Sequence, residues 1–258
     1  EKNYETITTK EKEISLTVNA KSLTDAQVTV SGSYTYTGQA QIPAAAAVTV
    51  QLDGKTIPND RYTISASDNT NAGQATVTVT GKGDYIGTAS GTFTINKATP
   101  NPTTPTELNA VYGKTLKDVP LPKGWAWDTP DTSVGNVGEN TFPATYNKDS
   151  SGNYNPVQQN LTVKVSPASY KITLTGQADS PTQITLEEAQ VEPGNTGAAV
   201  SYGMNTTNTA PSKWQAEKVF SGLTADTTYY FFAKVAATTN YAETISTGVA
   251  CLLYTSPS

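Results

Sequence analysis

Along most of the chain apolar and polar residues alternate one by one. Val48, Val50 and Leu52 are separated by Thr49 and Gln51, Val77 and Val79 by Thr78, and Phe93 and Ile95 by Thr94. Leu161, Val163 and Val165 repeat the pattern, and Tyr229 to Val235 continues it with aromatics. Successive side chains on a strand point to opposite faces, so a two-residue period marks strands with one buried and one wet face. The wet positions are rich in Thr, whose branched side chain suits a pleated surface. No long segment keeps the 3.6-residue period of a helix; the nearest, 183–191, runs into Pro193 and Gly194. Sheets that are apolar on one face bury it against one another. The pattern therefore predicts an all-β fold class of tandem antiparallel sandwiches.

Faint internal repeats divide these strands into modules. A strand and linker recur at Leu16–Ser22, Phe93–Thr99 and Leu161–Pro167, at intervals of 77 and 68 residues, lengths that suit small sandwiches. Gly83-Asp84-Tyr85, Gly152-Asn153-Tyr154 and Thr239-Asn240-Tyr241 form a second mark, read as a turn whose Tyr leads into a final strand. Asn71-Ala72-Gly73 and Asn136-Val137-Gly138 form a third, each a turn before the penultimate strand. The expected boundaries are 1–20 for the end of a preceding module, 21–97 for a first complete module and 98–105 for a stiff Pro-rich linker. A smaller module spans 106–166 and a third 167–250, and 251–258 reads as a non-native tail on which no function is hung.

Composition narrows the chemistry. The 258 residues contain no His and one Cys, so Ser-His-Asp and Cys-His catalysis, His-based zinc sites and internal disulfides are excluded. A net charge of −5 argues against nucleic acid. No apolar run is long enough for a membrane span. The scarcity of Cys fits an extracellular bacterial protein that does without disulfides, and equally a cytoplasmic one. The opening residues are neither an initiator Met nor a signal, so the chain reads as an internal piece of a longer protein. The sequons at Asn160 and Asn205 are what chance provides in a Thr-rich chain.

Val28–Val30, Tyr36-Thr37-Gly38, Asn69–Gly73 and Gly81–Gly87 together resemble an immunoglobulin-like repeat of bacterial surface proteins. Tyr112–Leu116, Leu121–Trp125 and Val134–Gly138 resemble a companion repeat of the same arrays. The third module is similar to a fibronectin type III-like module: Leu223 and Tyr229 match the spacing of its tyrosine corner, with Ala225 where the family often has Pro. Trp214 resembles that module's core Trp. The resemblance implies a long secreted or wall-attached protein of a Gram-positive gut bacterium, placed outside the cell, on its surface or in its wall. Its partners would be neighbouring modules of the same protein and, in a binding role, a glycan or host surface protein.

Candidate sites are few. Trp125 and Trp127 stand two apart and share a strand face; exposed, they could stack on sugars, and buried, they would fill a small core, as their flanking turn residues favour. Tyr229, Tyr230, Phe231 and Phe232 put aromatics on both strand faces, so one face must lie under a loop or form a contact surface, with Tyr230 and Phe232 as its candidates. Gly81, Gly83 and Gly87 miss the dinucleotide spacing by one residue and read as a hairpin turn. Glu187, Glu188, Asp128 and Asp131 are solvated carboxylates rather than a hydrolytic pair. The cluster Asn147–Asn153 lacks the acidic spacing of a calcium loop and reads as a turn. No cofactor and no catalytic residue is expected. The implied role is a structural spacer or stalk in an adhesin-like array, and the alternative is a carbohydrate- or host-protein-binding module using exposed aromatics.

Overall fold

The computed structural model describes residues 19–194 and 196–254. The expected preceding module, 1–20, lies outside the described residues but for its last two, and so does the tail beyond 254. Strands and bridges make up 48% of the described residues, whose only helical turns are short 3-10 turns, so the fold is all-β. No helix of the described residues is long and apolar enough to cross a membrane. Contacts divide the chain into two compact units: the stretch up to Asn101 with Asn147–Val157, and Pro102–Tyr146 with Gln158 onward.

The first unit is built on strands β1 (Lys21–Ser22), β2 (Gln27–Val30), β3 (Tyr34–Thr35), β4 (Val48–Leu52), β5 (Lys55–Thr56), β6 (Tyr62–Ser67), β7 (Gly73–Gly81), β8 (Tyr85–Ile86) and β9 (Thr88–Asn96). One sheet runs β2-β4-β5 and the other β3-β9-β7-β6. The alternation sorts the faces: Val48, Val50 and Leu52 of β4 are buried while Thr49 and Gln51 are exposed. Ala75, Val77 and Val79 of β7 and Phe93 and Ile95 of β9 complete the core. Gly91 interrupts that series where β2 lies close against β9, and a Cβ there would collide with the Val28 carbonyl. Two pairings are parallel, β1 with β8 and β3 with β9. They depart from a purely antiparallel arrangement because long crossovers, not hairpins, connect these strands.

In the second unit, β10 (Leu108–Val111), β11 (Trp125–Trp127), β12 (Gly138–Tyr146) and β13 (Val157–Ser166) form one sheet in the order β10-β13-β12-β11, with β10 parallel to β13. Its apolar face is closed by irregular chain carrying Leu116, Val119 and Val134, all buried with Trp125, Trp127 and Leu161. So short a module covers its sheet with a loop. Asp118 fixes the start of that loop's 3-10 turn, accepting from the Thr115 N–H at 3.0 Å and the Thr115 hydroxyl at 3.1 Å. These bonds hold its carboxyl below the usual carboxylate range.

The same unit continues through β14 (Lys171–Thr173), β15 (Gly176–Ser180), β16 (Gln183–Leu186), β17 (Gln190–Glu192), β18 (Val200–Asn205), β19 (Val219–Ser221), β20 (Thr228–Val235), β21 (Thr244–Ile245) and β22 (Val249–Leu252). Sheet β15-β16-β19 and sheet β18-β20-β21, with β22 on β20, bury Ile184, Leu186, Phe220 and Phe231. The chain stays in this sandwich past the expected end at 250. Cys251 pairs with Tyr229 across the β20–β22 ladder, and Leu253 is fully buried. The reason is the same period of two: Val249, Cys251 and Leu253 turn inward, and Ala250 and Leu252 outward. Burial pushes the Cys251 thiol pKa up, which makes it a packing residue and a poor nucleophile.

Candidate functional site

The same set of contacts occurs once in each unit. In the first, β3 runs beside the end of β9 and delivers Tyr36, whose N–H donates to the Asn96 carbonyl at 2.9 Å. The loop Asn71–Ala72 precedes β7, which opens at Gly73 with φ of 137°. Segment 147–157 brings a tip to these groups. The tip is shaped by Asp149, which accepts from the Ser151 N–H at 2.8 Å, and by Gly152 with φ of 79°. Asn153 Oδ1 accepts from the Ala72 N–H at 2.8 Å, and its Nδ2 donates to Asn71 Oδ1 at 3.1 Å. Its carbonyl accepts from the Ala98 N–H at 3.0 Å, and the Asn155 N–H donates back to the Ala98 carbonyl at 2.8 Å. The Tyr154 ring meets Tyr36 edge to face at 5.3 Å, and Lys148 Nζ lies 4.2 Å above the Tyr154 ring. Asn153 is the only buried polar side chain among the described residues, at 4% exposure, and every one of its polar groups is bonded. We call this set of contacts a clasp.

In the second unit Tyr112 follows β10, its N–H donating to the Ser166 carbonyl at 2.9 Å, and Gly138 opens β12 with φ of 128°. The tip is now Thr239-Asn240-Tyr241. Asn240 Oδ1 accepts from the Val137 N–H at 3.1 Å, and Nδ2 donates to Asn136 Oδ1 at 3.1 Å. The Asn240 carbonyl accepts from the Ala168 N–H at 3.0 Å, and the Ala242 N–H returns to the Ala168 carbonyl at 2.8 Å. Tyr241 meets Tyr112 edge to face at 5.5 Å and stacks with Tyr170 at 4.7 Å. Each clasp combines an amide that satisfies a loop N–H, an Asn–Asn pair and an aromatic contact. Such bonds are worth about 0.5–1.5 kcal/mol each, and an aromatic pair about the same. Chemically this is adhesion between chain segments.

The sequence marked these residues as turns but not as partners. Asn71 and Asn153 are 82 residues apart and Asn136 and Asn240 are 104 apart, so no local pattern joins them. The recurrence of an Asn-Tyr tip alongside an Asn-x-Gly loop was the available signal.

The residues singled out for binding lie elsewhere. Trp125 and Trp127 are 8% and 9% exposed, the Trp127 indole donating to the Val119 carbonyl at 3.0 Å, so the pair presents no ring face to a sugar. On β20, Phe232 is buried and Tyr230 half-buried. This outer face is covered by chain around Pro211 and Trp214, which pack over Gly203 opposite Phe232, and by Gly248 against the Phe232 ring. Trp214 is half-buried there, outside the core expected for it, with Lys234 Nζ 4.9 Å over its ring. Tyr229 is buried beside Leu223, and its hydroxyl oxygen accepts from the Thr224 N–H at 3.1 Å. Asp128 accepts from the Thr145 hydroxyl at 2.7 Å and from Gln158, and Asp131 pairs with Lys117 at 2.9 Å. Gly83 and Gly87, with φ of 66° and 80°, form the hairpin between β7 and β9. Among the described residues no cluster of acidic, Cys or His side chains could hold a metal ion.

No protein-family model matches the chain, and no curated protein matches it either. Solved structures do. Domains of titin align over 92% of this chain and 95% of theirs, at 13% identity and a TM-score of 0.22. The FN1–FN3 domains of chicken CNTN1 align over 88% and 98%, at 10% identity and a TM-score of 0.26. Sidekick-1 immunoglobulin domains 1–5 align over 86% and 58%, at 10% identity and a TM-score of 0.29.

Proposed function

We propose that this chain is a structural spacer, a run of immunoglobulin-like and fibronectin type III-like modules bounded near 21–97, 106–166 and 167–253. It belongs on this reading to a secreted or surface-attached bacterial protein. The observation that carries it is the repeated clasp. The same Asn, Tyr and Asn-x-Gly groups fix a tip to an earlier loop in both units. A joint held by directional hydrogen bonds and an aromatic contact loses bending freedom, which a spacer needs and an enzyme does not. The large aromatics support the same reading, since both residues of the Trp125–Trp127 pair serve a core.

Small-angle scattering tests the role. Asn153→Ala combined with Asn240→Ala should broaden the distribution of interatomic distances while circular dichroism stays unchanged. An identical scattering curve would remove the clasp from the mechanism. The alternative, a module binding glycan or host protein, rests on Trp214 and Tyr230, both half-buried on the outer face of the third sandwich. It requires tryptophan emission that shifts on adding polysaccharide and loses the shift in Trp214→Ala; the spacer requires no shift.

A further inference from the structure

We infer that the tip Gly83-Asp84-Tyr85 is a third copy of the clasp tip, a docking surface for a further sandwich of the same kind; this rests on the clasp being a joint between modules. The backbone is laid out alike in all three tips. The Asp84 carbonyl accepts from the Lys21 N–H at 2.8 Å, as those of Asn153 and Asn240 accept from Ala98 and Ala168 at 3.0 Å. Tyr85 bridges Lys21 in parallel register, as Tyr154 bridges Ala98 and Tyr241 bridges Ala168. In the other two, the side chains beyond this point reach an Asn-x-Gly loop and a Tyr. Here, among the described residues, they reach neither. The Asp84 side chain is 75% exposed and bonded there only to Arg61, at 2.9 Å, and Tyr85 packs half-buried on its own core without a second described ring.

The two occupied clasps specify the occupant. It presents a Tyr at the end of a strand that runs parallel to its last strand, and an Asn-x-Gly loop whose middle N–H is free. Asp in place of Asn still fits: a carboxylate accepts from that N–H with one oxygen, and the partner's Asn amide donates to the other. Residues 1–20 contain no Gly and hence no Asn-x-Gly motif, so the occupant is a further sandwich that supplies one.

The test duplicates residues 21–97 directly ahead of Lys21 in the full chain, so that the added copy supplies Tyr36 and Asn71–Gly73. Amide hydrogen exchange is then read by NMR. The Ala72 amide of the added copy should exchange at least tenfold more slowly than in the Asp84→Ala or Tyr85→Ala versions of the following module. Asp84→Asn should keep the protection. Equal exchange in all versions overturns the proposal. Protection of the native Val137 amide, lost in Asn240→Ala, reports separately on the clasp itself, so the two can fail independently. A check without the added copy uses labelled Asn153→Ala, Tyr154→Ala chain, whose own loop is vacated. Excess native chain should shift its Ala72 amide signal and an Asp84→Ala, Tyr85→Ala chain should not; no difference between them also overturns the proposal.

Discussion

Replacing Asn153 by Ala removes the acceptor for the Ala72 N–H and the donor to Asn71 in one step. Because Asn153 is buried, the loop N–H loses its partner where water reaches it poorly, at a cost of about 2–3 kcal/mol. Asn240 makes the same two bonds half-exposed, so Asn240→Ala should cost about 1 kcal/mol. Thermal melts of the two single variants should preserve that order. Tyr229 poses a similar question in the third sandwich, where its hydroxyl is the partner of the Thr224 N–H. Tyr229→Phe should destabilise that sandwich by about 1–2 kcal/mol and leave exchange of the Val77 amide in the first unchanged.

At the scale of elements, β22 and β9 make the sharpest demands. Leu253 closes the third core from just beyond β22, and its own N–H donates to the Thr227 carbonyl at 3.3 Å. Leu253→Ala should cost about 2–5 kcal/mol in urea unfolding, whereas Tyr254→Ala, at an exposed position, should cost almost nothing. On β9, Gly91→Ala forces the Val28 carbonyl away and should cost about 1–3 kcal/mol. Strands of this sort were legible because each is written in a local code: Val48, Val50 and Leu52 face inward at every second position, whatever lies across from them. The six-residue span Thr224–Tyr229 carries the tyrosine corner just as locally. The boundary at 250 was misplaced because Cys251-Leu252 breaks the Thr-rich composition without breaking the alternation. Trp214 reads as core by its resemblance, but it sits on the outer face because the chain around it lies over Gly203. The clasps were least legible, since their meaning lies in pairings between distant residues.

For the molecule as a whole, the absence of His leaves no side chain with an ordinary pKa near neutrality, and so predicts how stability varies with pH. Asp53, Asp118 and Asp149 have carboxyls held below their usual range, by Lys21, by Thr115 and by Ser151 respectively. A depressed folded pKa stabilises above the unfolded value, about 3.9, and that contribution disappears as pH falls through the folded one. Lys21 and Lys117 are raised by Asp53 and Asp131, and Tyr62 is raised by burial. Their contributions are complete below their unfolded values, about 10, and are lost as pH rises through the folded ones. Cys251, raised by burial, likewise loses its contribution as pH rises above its unfolded value, about 8.5. The melting temperature should therefore be flat from about pH 5 to 8 and decline outside that window. The ion pairs involved are largely exposed, Lys21–Asp53 at 56% and 71% and Lys117–Asp131 at 61% and 84%, so added salt should move the plateau little. Calorimetric scans across pH at two salt concentrations check both statements. A slope within the plateau would reveal a titrating group that the folded contacts do not contain, and strong salt dependence would mean that the ion pairs stabilise the fold more than its apolar cores and clasps.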